Sequence, residues 1–93
     1  MQLEFTDEAQ RDLEALNQPQ LEAVKQKLAE LREQPTSHDD AKLIRVHGRD
    51  LYRLAIKEER GGEIDHRAIY DIVDNIIRIY SVFPRDGGYD TDL

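Results

Sequence analysis

The run LYRLAIKEERGGEIDHRAIYDIVDNIIRIYSVFPRDGGY, residues 51–89, decides the fold. Three apolar stretches rich in Val, Ile, Leu and Tyr are separated by two turn signals, Gly61-Gly62 and Asp74-Asn75, the second a two-residue connection of the kind tight hairpins use. This pattern predicts a three-stranded antiparallel meander. Reading with period two over Leu51 to Lys57 puts Tyr52, Leu54 and Ile56 on one face and Leu51, Arg53, Ala55 and Lys57 on the other. Over His66 to Val73 the faces are Ala68, Tyr70 and Ile72 against Arg67, Ile69, Asp71 and Val73. From Ile76 to Phe83 both sides are apolar except at Arg78 and Ser81, as expected of a strand with neighbours on both sides.

Everything before the meander reads as cover for one of its faces. Gln2 to Phe5 alternates and is short enough for an edge strand. Asp7 is placed to cap a helix, with Gln10 in the reciprocal position, and Ala9, Leu13 and Leu16 form its apolar stripe. Asn17-Gln18-Pro19 ends that helix and opens a second, running to about Glu33, with Leu21, Val24, Leu28 and Leu31 in line. A polar loop, Gln34 to Asp40, then leads through Lys42-Leu43 and an Arg45-to-Arg49 corner into the first long strand. The expected fold class is α+β: a small twisted antiparallel sheet, an N-terminal helical hairpin packed on one face, the other face free, and one domain over residues 1–93.

Several function classes lose support from composition. There are no cysteines, so neither a disulfide framework nor a thiolate zinc site is available. His38, His47 and His66 have no metal-ligand spacing, and no metal or other cofactor is expected. No long apolar run or signal-peptide pattern is present, so a cytoplasmic location away from membranes is expected. The formal net charge of −7 argues by itself against a phosphate-rich partner. Its distribution is uneven, however. Residues 1–40 carry ten acidic and four basic side chains and residues 70–93 five and two, whereas residues 41–69 carry five acidic and seven basic. The one segment with a positive balance leads into the meander.

Arg53 and Arg67 each take the opposite phase from their strand's tyrosine, Tyr52 and Tyr70, so if the tyrosines face the helices both arginines face out. Arg85 follows the third strand, and Tyr89 lies four residues beyond it. Three guanidinium groups and a phenol converging on one face would suit a phosphodiester, because arginine forks match phosphate oxygens and stabilise the extra charge of a pentavalent phosphorus. The competing reading is a set of solvated strand arginines paired with Asp50, Asp71 or Asp86.

The ordered set FTDEAQRDLEAL, Lys42-Leu43, Leu51-Tyr52-Arg53-Leu54, Arg67 with Tyr70-Asp71-Ile72-Val73-Asp74, and Arg85 with Tyr89 resembles the RelE/ParE superfamily of bacterial and archaeal toxins, over Leu3 to Tyr89. The resemblance implies a toxin of a type II toxin–antitoxin pair, with a cognate antitoxin protein as partner. In its RelE-like branch it further implies a ribosome-dependent mRNA endoribonuclease that works without a metal, the RNA 2′-hydroxyl attacking the adjacent phosphorus. Carried onto this chain, Arg53, Arg67, Arg85 and Tyr89 become the catalytic candidates, and Lys42, Arg45, Arg49, Lys57 and Arg60 flanking RNA contacts. Ala55 and Phe83 stand where better-known ribonucleases carry basic residues. That difference keeps two alternatives in view: a ParE-like gyrase poison without nuclease activity, and a non-toxic module that only binds its antitoxin.

Overall fold

The structure, a computed structural model, describes residues 1–57 and 64–85. Its elements run β1 (Gln2–Phe5), α1 (Asp7–Glu14), α2 (Gln18–Glu33), β2 (Ala41–Val46), β3 (Arg49–Lys57), β4 (Ile64–Val73) and β5 (Ile76–Pro84). The strands form one sheet in the order β1-β5-β4-β3-β2. The meander β3-β4-β5 is antiparallel, and β5 is flanked on both sides, as its two apolar faces require.

Three local features differ from the expectation. The sheet is mixed rather than wholly antiparallel, because β1 lies parallel to β5, with Leu3 opposite Ile77. A parallel pair needs a long crossover, and both helices are contained in it. The Lys42-Leu43 stretch belongs to a full strand, β2, antiparallel to β3 and joined to it at His47-Gly48, both at positive φ (49° and 79°). The cap of α1 is Thr6, whose hydroxyl accepts the Ala9 amide at 3.1 Å, so Asp7 is the first helical residue instead. For α2, Asn17 and Gln20 form a reciprocal capping box around Pro19. The Asp74-Asn75 turn has both residues at positive φ (53° and 64°), the condition for a tight hairpin whose twist matches its strands.

Both helices lie on one face of the sheet. Ala9 of α1 and Val24, Leu28 and Leu31 of α2 share a core with Leu54, Ile56, Ala68, Tyr70, Ile77, Ile79 and Val82. Each fully buried aliphatic side chain there contributes about 1.5–3 kcal/mol. Tyr70 stacks on Tyr52 with centroids 5.2 Å apart, and its hydroxyl donates to the Pro35 carbonyl at 2.8 Å, tying the loop after α2 to β4. Below α2, His38 Nε2 meets Glu30 at 3.0 Å and Lys27 donates to Asp40 at 3.0 Å. The opposite face has its own small apolar cluster, Val46, Leu51 and Ile69, with Ile44, Tyr80 and Phe83 packed against it.

Candidate nucleic-acid interface

Pairing register decides which basic side chains share the helix-free face. Lys42 is opposite Arg53, Arg53 is opposite Ile69, and Arg67 lies between Ala55 and Phe83. Directly opposed residues project to the same side, and diagonal neighbours stand only about 7–8 Å apart, so Lys42, Arg53 and Arg67 form one contiguous basic patch. Arg85 follows β5 immediately and joins them electrostatically. Burial first, then the positive charges of Arg53 and Arg85, push the Arg67 guanidinium below its usual pKa. Like charges held together in this way raise one another's energy and favour an anion between them.

Among the described residues no carboxylate pairs with Arg53, Arg67 or Arg85. Asp50 is taken by Arg45 (3.2 Å), and Asp71 by Arg49 and Arg78. Asp86 lies outside the described residues. The reading of these arginines as partners of Asp50 or Asp71 therefore does not describe the structure.

The other sequence candidates separate by position. Arg45 opposes Asp50 one place out of phase with Ile44 and Leu51, which puts it on the helix side of the sheet, away from the patch. Lys57 is drawn to Asp40, at 3.9 Å, beside Lys27 of α2. Arg49 is on the patch face but at its far end, joined to Asp71 and Tyr80. Tyr89 and Arg60 lie outside the described residues, as do the Gly61-Gly62 turn and the Gly87-Gly88 pair.

Two partners of Asp71, Arg78 and Tyr80, have no role in the sequence reading. Arg78 is opposite Asp71 across the Asp74-Asn75 hairpin, and counting outward from that turn gives the pair directly. Tyr80 shares Arg78's face by the same alternation, and a bulge opposite Ile69/Tyr70 then changes the phase of β5. Phe83 thereby joins Tyr80 on the helix-free face while Val82 enters the main core. Among the described residues, no group of three or more His, Asp or Glu side chains is placed to hold a metal ion, and no helix is long and apolar enough to cross a membrane.

Solved structures resemble this fold closely. A chain of the RelBE2 toxin–antitoxin complex from Mycobacterium tuberculosis superposes with a TM-score of 0.69 at 26% identity, covering 90% of this chain and 96% of that one. The archaeal RelE–RelB complex from Pyrococcus horikoshii gives 0.68 at 22% identity, covering 94% and 97%. A mutant of the E. coli toxin RelE in the free state gives 0.68 at 22%, covering 94% and 85%. At 22% identity the last two are likenesses of fold. No curated protein sequence matches significantly. The family model for the ParE toxin of the type II toxin–antitoxin system parDE matches residues 3–89, from the edge strand to the residue after Gly87-Gly88. With that match spanning the sheet, the helices and the basic patch, the chain belongs to the RelE/ParE family of type II toxin–antitoxin toxins.

Proposed function

We propose that this toxin cleaves mRNA on the ribosome, using the helix-free sheet face to hold the scissile phosphate. The observation that carries the reading is the cluster of Arg53, Arg67 and Arg85, with Lys42 opposite Arg53 and no carboxylate partner among the described residues. In the reaction the 2′-oxygen bonds to phosphorus and the bond to the 5′-oxygen breaks, leaving a cyclic phosphate and a 5′-hydroxyl. Charge builds on the phosphoryl oxygens at the transition state. Guanidinium forks already in place stabilise it without reorganising, which a metal would otherwise do.

No imidazole or carboxylate of the described residues belongs to the patch, since His66 is buried on the helix side opposite Ile56. The patch therefore supplies charge. Stacking on the base or taking the 2′-hydroxyl proton falls by resemblance to Tyr89. The ribosome would hold the mRNA in the bent geometry that in-line attack needs. A cognate antitoxin would complete the pair, and β1, which among the described strands pairs with β5 alone, stands at the sheet's edge, where a strand could be added.

A gyrase-poison reading is favoured by the ParE family model and by the uncharged Ala55 and Phe83 on either side of Arg67. Purified protein assayed in parallel on ribosome-bound mRNA and on gyrase supercoiling separates the two. Cleavage with normal supercoiling supports the nuclease, and inhibited supercoiling with intact mRNA the alternative.

A further inference from the structure

The far end of the same face holds a charged group that the phosphate patch does not use. The Asp71 side chain, 10% exposed, accepts Arg78 Nε and Nη2 at 3.1 and 3.0 Å, Tyr80 Oη at 2.6 Å and Arg49 Nη2 at 3.3 Å. The same Arg49 nitrogen lies 3.4 Å from Tyr80 Oη. The guanidinium carbons of Arg49 and Arg78 stand 5.7 and 5.6 Å from the Tyr80 ring centroid. Asp71 faces two permanent cations, and the attraction of a second carboxylate, Glu4 opposite Arg78 on β1, falls on Arg78. The Arg45–Asp50 pair on the other side of the sheet, by contrast, is one to one.

The Arg78 fork already satisfies Asp71, so Arg49 is surplus to the carboxylate's need. Its side chain is 60% exposed and, among the described residues, Nη2 alone makes a hydrogen bond, which leaves the Nε and Nη1 protons for another acceptor. Asp71 and Tyr80 fix the plane of that guanidinium in advance, which lowers the ordering cost of a contact. Arg49 and Arg53 lie four residues apart on β3, about 13 Å, enough for two different phosphates of one strand.

We propose that Arg49, oriented by Asp71 and Tyr80 with Arg78 beside it, is a second RNA contact that reads the phosphate backbone and is indifferent to base identity. The proposal rests on the reading of this face as an RNA surface. Base indifference follows from what is occupied: the Tyr80 ring already carries two cations, and the Asp71 oxygens are spent on Arg78, Tyr80 and Arg49. The outward N–H groups of Arg49 match a phosphate.

The test is binding of the full chain to single-stranded 2′-O-methyl RNA, which cannot be cleaved because its attacking hydroxyl is capped. Anisotropy is read across a salt series, with an oligouridine and a mixed sequence. Arg49→Gln, which leaves the Arg78 fork on Asp71, is expected to weaken both about three- to tenfold and to flatten the log–log salt slope by about 0.7, one phosphate's share on a single strand. Arg49→Lys should recover most of the loss, and Arg11→Gln on α1 should lose nothing. Wild-type affinity in Arg49→Gln, or a loss confined to one sequence, overturns the proposal. Failure of the wild-type protein to bind RNA in a salt-dependent way would instead defeat the RNA reading of the whole face.

Discussion

Asp12, on α1, accepts the Val82 amide at 2.9 Å and the Ser81 hydroxyl at 3.1 Å, joining the first helix to the last strand. Six residues earlier, the Thr6 hydroxyl donates to the Tyr80 carbonyl at 2.9 Å. Both contacts fall at the bulge in β5. A bulge interrupts the ladder, and its backbone groups need partners from elsewhere. Here α1 and its cap supply them, and the bulge in turn puts Phe83 on the helix-free face beside Tyr80 and leads the chain to Arg85.

Asp12→Ala is expected to cost about 1–3 kcal/mol in chemical denaturation, since it strands the Val82 amide and the Ser81 hydroxyl in a part-buried site. Ser81→Ala should cost less, because Asp12 keeps the amide. Equal stability of Asp12→Ala and wild type would show that the bulge does not depend on α1.

Tyr70 gives a second handle on the core. Burial, followed by the proximity of Tyr52, pushes its phenol well above the usual value, so it stays protonated and donates to Pro35 at every accessible pH. Tyr70→Phe should lose about 1 kcal/mol, the worth of that hydrogen bond. Tyr70→Ala should lose about 3–5 kcal/mol through the cavity it leaves. Thermal unfolding of the two variants separates hydrogen bond from packing.

Much of the fold was legible from alternation. Tyr52, Leu54 and Ile56, or Ala68, Tyr70 and Ile72, take the helix-facing side as period two requires. What escaped depends on partners distant in sequence. The parallel pairing of β1 with β5 leaves no local mark in four residues, and β2 is masked by Lys42 and Arg45 within a short, partly polar run. The bulge in β5 is also unmarked, since an inserted residue looks like any other in an apolar stretch. Of the candidate site, Arg53 and Arg67 were legible by phase. The grouping of Arg49, Asp71, Arg78 and Tyr80 needed the register itself.

Acid should weaken the fold in a defined window. Burial alone would raise Asp40 and Asp71, but Lys27, Lys57 and His38 around the first, and Arg78, Tyr80 and Arg49 around the second, outweigh it and hold both below the ordinary 3.8. The hydrogen bond from His38 likewise lowers Glu30 from 4.5, against an opposing desolvation. Carboxylates depressed in the folded state add stability above their unfolded pKa and lose it as pH falls through the folded value. The urea midpoint is therefore expected to hold from neutral pH to about pH 5 and to drop below about pH 4. A midpoint that rises on acidification would contradict these pairings.

The patch should show a conflict between stability and activity. Replacing Arg67 by Gln removes a half-buried charge that Arg53 and Arg85 repel, so the variant is expected to match or exceed wild-type stability, by up to about 0.5 kcal/mol, with the gain shrinking as salt is added. Clear destabilisation that is independent of salt would mean that Arg67 serves packing rather than a ligand.

The central claim is that the Arg53–Arg67–Arg85 face acts on the phosphodiester of translated mRNA. Inducible expression followed by genome-wide mapping of mRNA 5′ ends tests it most directly, with Arg67→Ala in parallel. The account predicts new 5′ ends within translated codons for the wild type and their loss in Arg67→Ala. An absence of new ends, or a cleavage pattern that Arg67→Ala leaves unchanged, would contradict it.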